Sequence, residues 1–181
     1  AIRRAGRRLL GFGENVVFVR GNFSEVKRLA GEAGVEKADG VLMDLGFSSD
    51  QVEHAERGFS FMADGPLDMR MDRSSGKTAA DLVNGLEEGY LRRILGDFGE
   101  EKMAGRIAGC IVKERKKALF RTTLRLADTV AGALGGRRGK IHPATRTFQA
   151  LRIAVNDELA SLEAGLAGAL DLLTVGGRMA V

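Results

Sequence analysis

From Asp44 to Asp72 the chain reads DLGFSSDQVEHAERGFSFMADGPLDMRMD, nearly thirty residues with neither helical nor strand periodicity. The run opens where an apolar stretch, Gly-Val-Leu-Met at 40–43, gives way to Asp44. Glycines at 46, 58 and 65, Pro66 and five aspartates alternate with methionines and phenylalanines. Irregular segments of this length in compact domains are usually functional or disordered, and the apolar content here argues against disorder. Open α/β sheets bind ligands outside the carboxyl ends of their strands, so an acidic loop in that place reads as a site.

The flanking sequence supplies the rest of an α/β pattern. Ile2 to Leu10 reads as the end of a helix, and Asn15 to Val19 as a short buried strand. Ser24 is placed to cap a helix running to about Gly34. Residues 41–45 read as a second strand, apolar enough for a sheet covered on both faces. Strand, helix and strand at this spacing predict a right-handed βαβ unit. Beyond the loop, Thr78 and Asp81 form a capping-box pattern for a helix through Leu86. Further helices are expected over 87–97, 100–117 and from Thr122 or Thr123 to Leu134. Pro143 opens a long helix to about Leu173, stopped by Gly176-Gly177, and residues 178–181 begin another strand. The expected fold is therefore an α/β sheet interrupted by helices. The α/β part is assigned to 1–49 and 141–181, and an inserted helical subdomain to 50–140.

No stretch of eighteen apolar residues exists to span a membrane. The single Cys110 cannot form an internal disulfide, and its surroundings suit a small buried side chain. Charge is unevenly distributed. Lys102 to Arg146 carries twelve Lys/Arg against two acids, whereas the remainder of the chain has a net charge of −6. Clustered cations suit a polyanion, because phosphate contacts release counterions; amphipathic helices with solvated basic faces are the bland alternative. Asp64, Asp68 and Asp72 surround Arg70, a pattern that favours loop-bracing ion pairs over a cation site. His142, beside Pro143, fits a helix entry better than acid–base work. Arg70 and Arg146 stand as substrate-side candidates, and Asp44 as the first catalytic candidate, a loop-capping aspartate being the competing reading.

The segments DLG-x-SS-x-Q (44–51), ERGFSF (56–61), DGPLDMRMD (64–72), FGEEKMAGRIAGCIV (98–112) and HPATRTFQALRIAVNDEL (142–159) resemble the RsmH (MraW) family of 16S ribosomal RNA cytosine-N4 methyltransferases. The resemblance covers essentially the whole chain. It implies a Rossmann-like class I methyltransferase sheet, S-adenosylmethionine as cofactor, and a cytidine of 16S ribosomal RNA or the small ribosomal subunit as substrate. It also implies cofactor contacts at Phe23, Asp44 and Gln51. The family's glycine-rich first motif is expected upstream of Ala1 and its SFHSLEDR segment after Val181, so the chain reads as a fragment lacking both. A non-catalytic RNA-binding or ribosome-assembly protein, or an inactive fragment, are the alternatives. A cytoplasmic location is expected, with a mitochondrial matrix as the other option, and no membrane partner. Oligomeric state, including a homodimer, is left open.

Overall fold

The structure, a computed structural model, describes residues 2–48, 52–136 and 141–181. The chain folds into two compact units, one of residues 1–45 with 159–181 and one of residues 46–158.

The first unit holds α1 (Ile2–Arg8), α2 (Val26–Glu32), β1 (Ala38–Leu42), α8 (Glu158–Leu172) and β2 (Leu173–Ala180). The strands β1 and β2 pair in parallel, Val41 opposite Met179 and Leu42 opposite Ala180. A register shift between Ala38 and Gly40 absorbs extra β2 residues, where Gly176 takes φ 84°. That left-handed angle suits glycine because no Cβ meets the backbone. Gly176-Gly177 thus lies inside a strand and does not stop the preceding helix, which ends at Leu172. Small residues let α8 approach its neighbours: Ser161, Gly165, Ala169 and Leu172 form its buried stripe. A Cβ on Gly165 would lie 2.6 Å from the Phe23 ring, and one on Gly168 3.1 Å from Val26.

Several expectations for this unit are corrected. Residues 15–19 form no strand, since 3-10 turns occupy Leu10–Asn15 and 16–20 join no ladder among the described residues. β-Branched and aromatic side chains favour extended backbone, but a strand also needs a partner. Val17 is 65% exposed and Phe18 41%. The expected βαβ unit built on that strand is therefore absent from the described residues. The second strand runs over 38–42, with Leu42 82% exposed, so it is not covered on both faces. Ser24 does not cap α2, whose N-cap Glu25 makes no side-chain bond; Asn22 caps the preceding 3-10 turn Phe23–Glu25, its side chain accepting the Ser24 N–H at 3.1 Å.

The second unit contains α3 (Ala79–Gly85), α4 (Glu88–Asp97), α5 (Ala104–Arg115), α6 (Thr123–Ala133) and α7 (Thr145–Asn156). Its core is continuous, with Leu91, Leu95, Ile107, Ile111, Leu126, Val130 and Leu151 all inaccessible to solvent. The Thr78–Asp81 capping box is present, and Thr122 caps α6. Arg115 closes the other end of α3, donating to the carbonyls of Val83 (2.9 Å) and Leu86 (2.6 Å). The long helix expected from Pro143 to Leu173 is two helices. Asp157 adopts φ 47°, ψ 45°, a left-handed conformation that ends α7; a short polar side chain tolerates it better than most. The leucine spacing that suggests one continuous stripe changes phase there. Phe148 and Leu151 are buried in the helical unit, whereas Leu159 and Leu170 are more than half exposed.

Candidate functional site

Asp44 follows β1 by two residues and is solvent-exposed. Its predecessor Met43 is buried and donates its N–H to Ala180 at 2.9 Å, so the ladder holds the chain up to the aspartate. Gly46 then takes φ 109°, a conformation few other residues tolerate. This sequence sets a carboxylate at a strand end, just ahead of a glycine turn. Phe23 is half-buried, its ring against the Gly165 backbone of α8. Gln51 lies outside the described residues.

The irregular run is well held through its second half. Asp68, only 6% exposed, receives Nε (2.7 Å) and a terminal nitrogen (3.1 Å) of Arg70, together with the Arg70 N–H (3.2 Å). Arg73 adds a longer ion pair at 3.5 Å. Burial alone would raise the Asp68 carboxyl's pKa, but the Arg70 bonds and the two guanidinium charges outweigh it and hold the group below the ordinary carboxylate range. Arg70 also donates toward the Ser75 and Gly76 carbonyls, so its head group is a brace within the loop. Asp64 accepts N–H groups from Gly65 and Leu124, each at 3.1 Å, tying the loop to the start of α6.

Two anchors in this loop lie outside the sequence reading. Asn156 accepts the Met71 N–H at 2.7 Å and donates to the carbonyls of Met69 (2.8 Å) and Arg152 (2.9 Å). Periodicity places it inside a continuous helix, where no such contact is expected; only the helix break beside it reveals the role. Arg57 donates to the Arg70 and Met71 carbonyls at 2.8 and 3.0 Å. Between these anchors Met69 takes φ 64° and is fully buried, a strained backbone held by its surroundings.

Arg146 is exposed and donates to the Glu100 carbonyl at 3.1 Å. His142 accepts the Ala144 N–H at 3.1 Å and packs on Phe61, the helix-entry role expected of it. Arg152 grips Glu158 with two bonds of 2.7 and 2.9 Å while its guanidinium lies over the Phe47 ring, 4.6 Å from the centroid. Among the described residues no three His, Cys, Asp or Glu side chains gather as a metal cage requires.

The MraW methylase family matches residues 1–181, the whole chain. The chain belongs to this family. Proteins named ribosomal RNA small subunit methyltransferase H resemble it closely. That of Citrifermentans bemidjiense is 54% identical over 183 residues, covering 100% of the chain and 59% of the relative. That of Geobacter sulfurreducens is 56% identical over 180 residues, covering 98% and 58%, and that of Symbiobacterium thermophilum 52% over 183, covering 100% and 58%. The chain thus spans somewhat under three fifths of the length of these MraW-family relatives. The braced loop, Asn156 and the exposed Asp44 all lie within the matched region.

Proposed function

We propose that the gene product containing this chain transfers a methyl group from S-adenosylmethionine to N4 of a cytidine in 16S ribosomal RNA. The observation that carries the reading is the exposed Asp44, which directly follows the last ladder-bonded residue, Met43, at a strand end of a MraW-family chain. The names of the relatives support ribosomal RNA of the small subunit as substrate. In this reading β1 and β2 belong to a Rossmann-like class I sheet. The basic helices of the second unit form the RNA-recognition part, and the protein works in the cytoplasm.

The side chains fit the cofactor chemically. Asp44 offers a carboxylate to polar hydrogens, and Phe23 stands after a turn where an aromatic face can cover a purine; Gln51 completes the cofactor set. S-adenosylmethionine supplies an electrophilic methyl on a sulfonium sulfur. The cytosine amine is a poor nucleophile because its lone pair is delocalised into the ring. Asp44 and the carbonyls of residues 45–48 accept its two hydrogens, which favours a more tetrahedral nitrogen. With the cofactor bound, its sulfonium would give the methyl to N4 and leave as the neutral thioether, while Asp44 and the carbonyls of residues 45–48 would hold the amine and the released N4 proton would pass to water. Positioning and fixed dipoles account for most of the acceleration, and the base must leave its stack to be reached. Arg70 and Arg146 remain on the RNA side of the proposal, acting through the backbone they hold. Nucleoside mass spectrometry of 16S RNA from cells with and without the gene tests the reading. Loss of N4-methylcytidine on deletion supports it, and an unchanged nucleoside profile rejects it.

A further inference from the structure

The twelve cations between Lys102 and Arg146 are not equivalent. Arg115 is used to close α3, and Arg125 donates to the Ala118 carbonyl at 2.6 Å and to that of Leu119 while lying over Phe120. Both are internal braces. Arg106 and Lys113 on α5 and Lys116 at its C-cap are exposed. At 3.6 residues per turn the three fall within about 80° around the axis and extend roughly 15 Å along it. Lys102 stands exposed in the turn before the helix, and Arg92 of α4 reaches over Gly105, its Cδ 3.7 Å from where a Cβ would be.

A merely solvated helix face looks different in this same molecule. On α2, Arg28 pairs with Glu25 at 2.7 Å and Glu32 at 2.5 Å, alternating charge in the stabilising i, i+3 and i, i+4 pattern. Among the described residues no carboxylate forms an ion pair with Lys102, Arg106, Lys113 or Lys116. The acids nearby turn elsewhere: Glu101 accepts the Met103 N–H, and Glu114 takes Lys117 at 2.6 Å. The Glu88 carboxylate lies over Gly109 beside the stripe, and the Lys113 charge also acts on Glu114 without pairing with it. Lys113 and Lys116 suit the negative end of the helix dipole, but Lys102 and Arg106 sit at the positive end, where α5 has no acid in its first turn. The Glu101 carboxylate on the Met103 N–H meets the helix end itself, which leaves the two cations with no ion-pair partner among the described residues. The apolar side of α5, Ile107 and Ile111, is wholly buried, so the helix has nothing to insert into a bilayer.

We propose that Arg92, Lys102, Arg106, Lys113 and Lys116 form a track for the phosphate backbone of the RNA substrate, an assignment that rests on the methyltransferase reading and adds its contact surface. The test measures affinity of the full protein for a fluorescein-labelled oligocytidylate across roughly 50 to 200 mM salt. The triple variant Lys102→Gln, Arg106→Gln, Lys113→Gln is compared with wild type and with Arg28→Gln, all checked for helix content. Three lost phosphate contacts at ~0.7 each make the log–log salt slope shallower by about 2 and weaken low-salt binding at least tenfold; Arg28→Gln changes neither. An unchanged slope overturns the proposal. So does a triple variant that keeps RNA binding but loses binding to polyaspartate, since the face would then dock an acidic protein. Methyl transfer to 16S RNA by the wild type is scored separately. If transfer is absent while stripe-dependent RNA binding persists, the reaction assignment fails and the track stands.

Discussion

Replacing Asn156 with alanine removes three hydrogen bonds at once, to the Met71 N–H and to the carbonyls of Met69 and Arg152. Each is partly buried and contributes about 0.5–1.5 kcal/mol net. One of the orphaned groups is the carbonyl of Met69, fully buried and left-handed, and another is the N–H two residues on, where water replaces them poorly. The expected loss is therefore about 2–3 kcal/mol, or roughly 5–10 °C in melting temperature for a chain of this size. Urea titration followed by circular dichroism reads the loss, and hydrogen exchange of the Met71 amide reads its local origin. Gln149→Ala, exposed on the same helix, serves as control and stays within about 0.5 kcal/mol of wild type. If Asn156→Ala matches that control, or leaves the Met71 amide protected, the loop is held by something else.

Three other perturbations have equally definite outcomes. The Asp68 carboxyl titrates below its unfolded value near 3.9, so its stabilising contribution is complete above that pH and is lost as pH falls through the folded value. Urea midpoints between pH 5 and pH 2 show a shallower acid limb in Asp68→Asn, and parallel limbs refute the ion-pair account. Gly165→Ala forces a Cβ to 2.6 Å from the Phe23 ring; overpacking of about 1–3 kcal/mol outweighs the roughly 1 kcal/mol helix-propensity gain. The melting temperature falls and is regained with Phe23→Ala; a rise in the single variant contradicts that packing. Thr78→Ala removes the half of the α3 capping box in which the Thr78 hydroxyl accepts the Asp81 N–H, leaving the Thr78 backbone bond to the Asp81 carboxylate, and costs about 1 kcal/mol by urea titration, whereas no measurable loss shows the cap to be idle.

The helical unit is largely legible from sequence because its signals are local. Capping residues at Thr78 and Thr122, and apolar repeats at Leu91, Leu95, Ile107 and Ile111, fix helix type and buried face without knowledge of partners. The sheet is less legible because strands depend on distant neighbours. Val16 to Val19 has strand-forming side chains but no ladder among the described residues, and β2 carries a glycine pair that reads as a helix stop. The helix break at Asp157 is a single left-handed residue, invisible to periodicity that happens to continue past it. Within the candidate site, the Arg70–aspartate brace can be anticipated from adjacency. Asn156 cannot, since its partners in the loop lie more than eighty residues away.

Transfer of an isotope-labelled methyl group from S-adenosylmethionine to small-subunit ribosomal RNA, by the full gene product and its Asp44→Ala variant, bears on the central assignment most directly. Because Asp44 is exposed, the variant should melt within about two degrees of wild type. The wild type is expected to place the label on N4 of a cytidine and the variant to place none. Label elsewhere in the RNA, or wild-type turnover by the variant, contradicts the role given to the strand-end carboxylate.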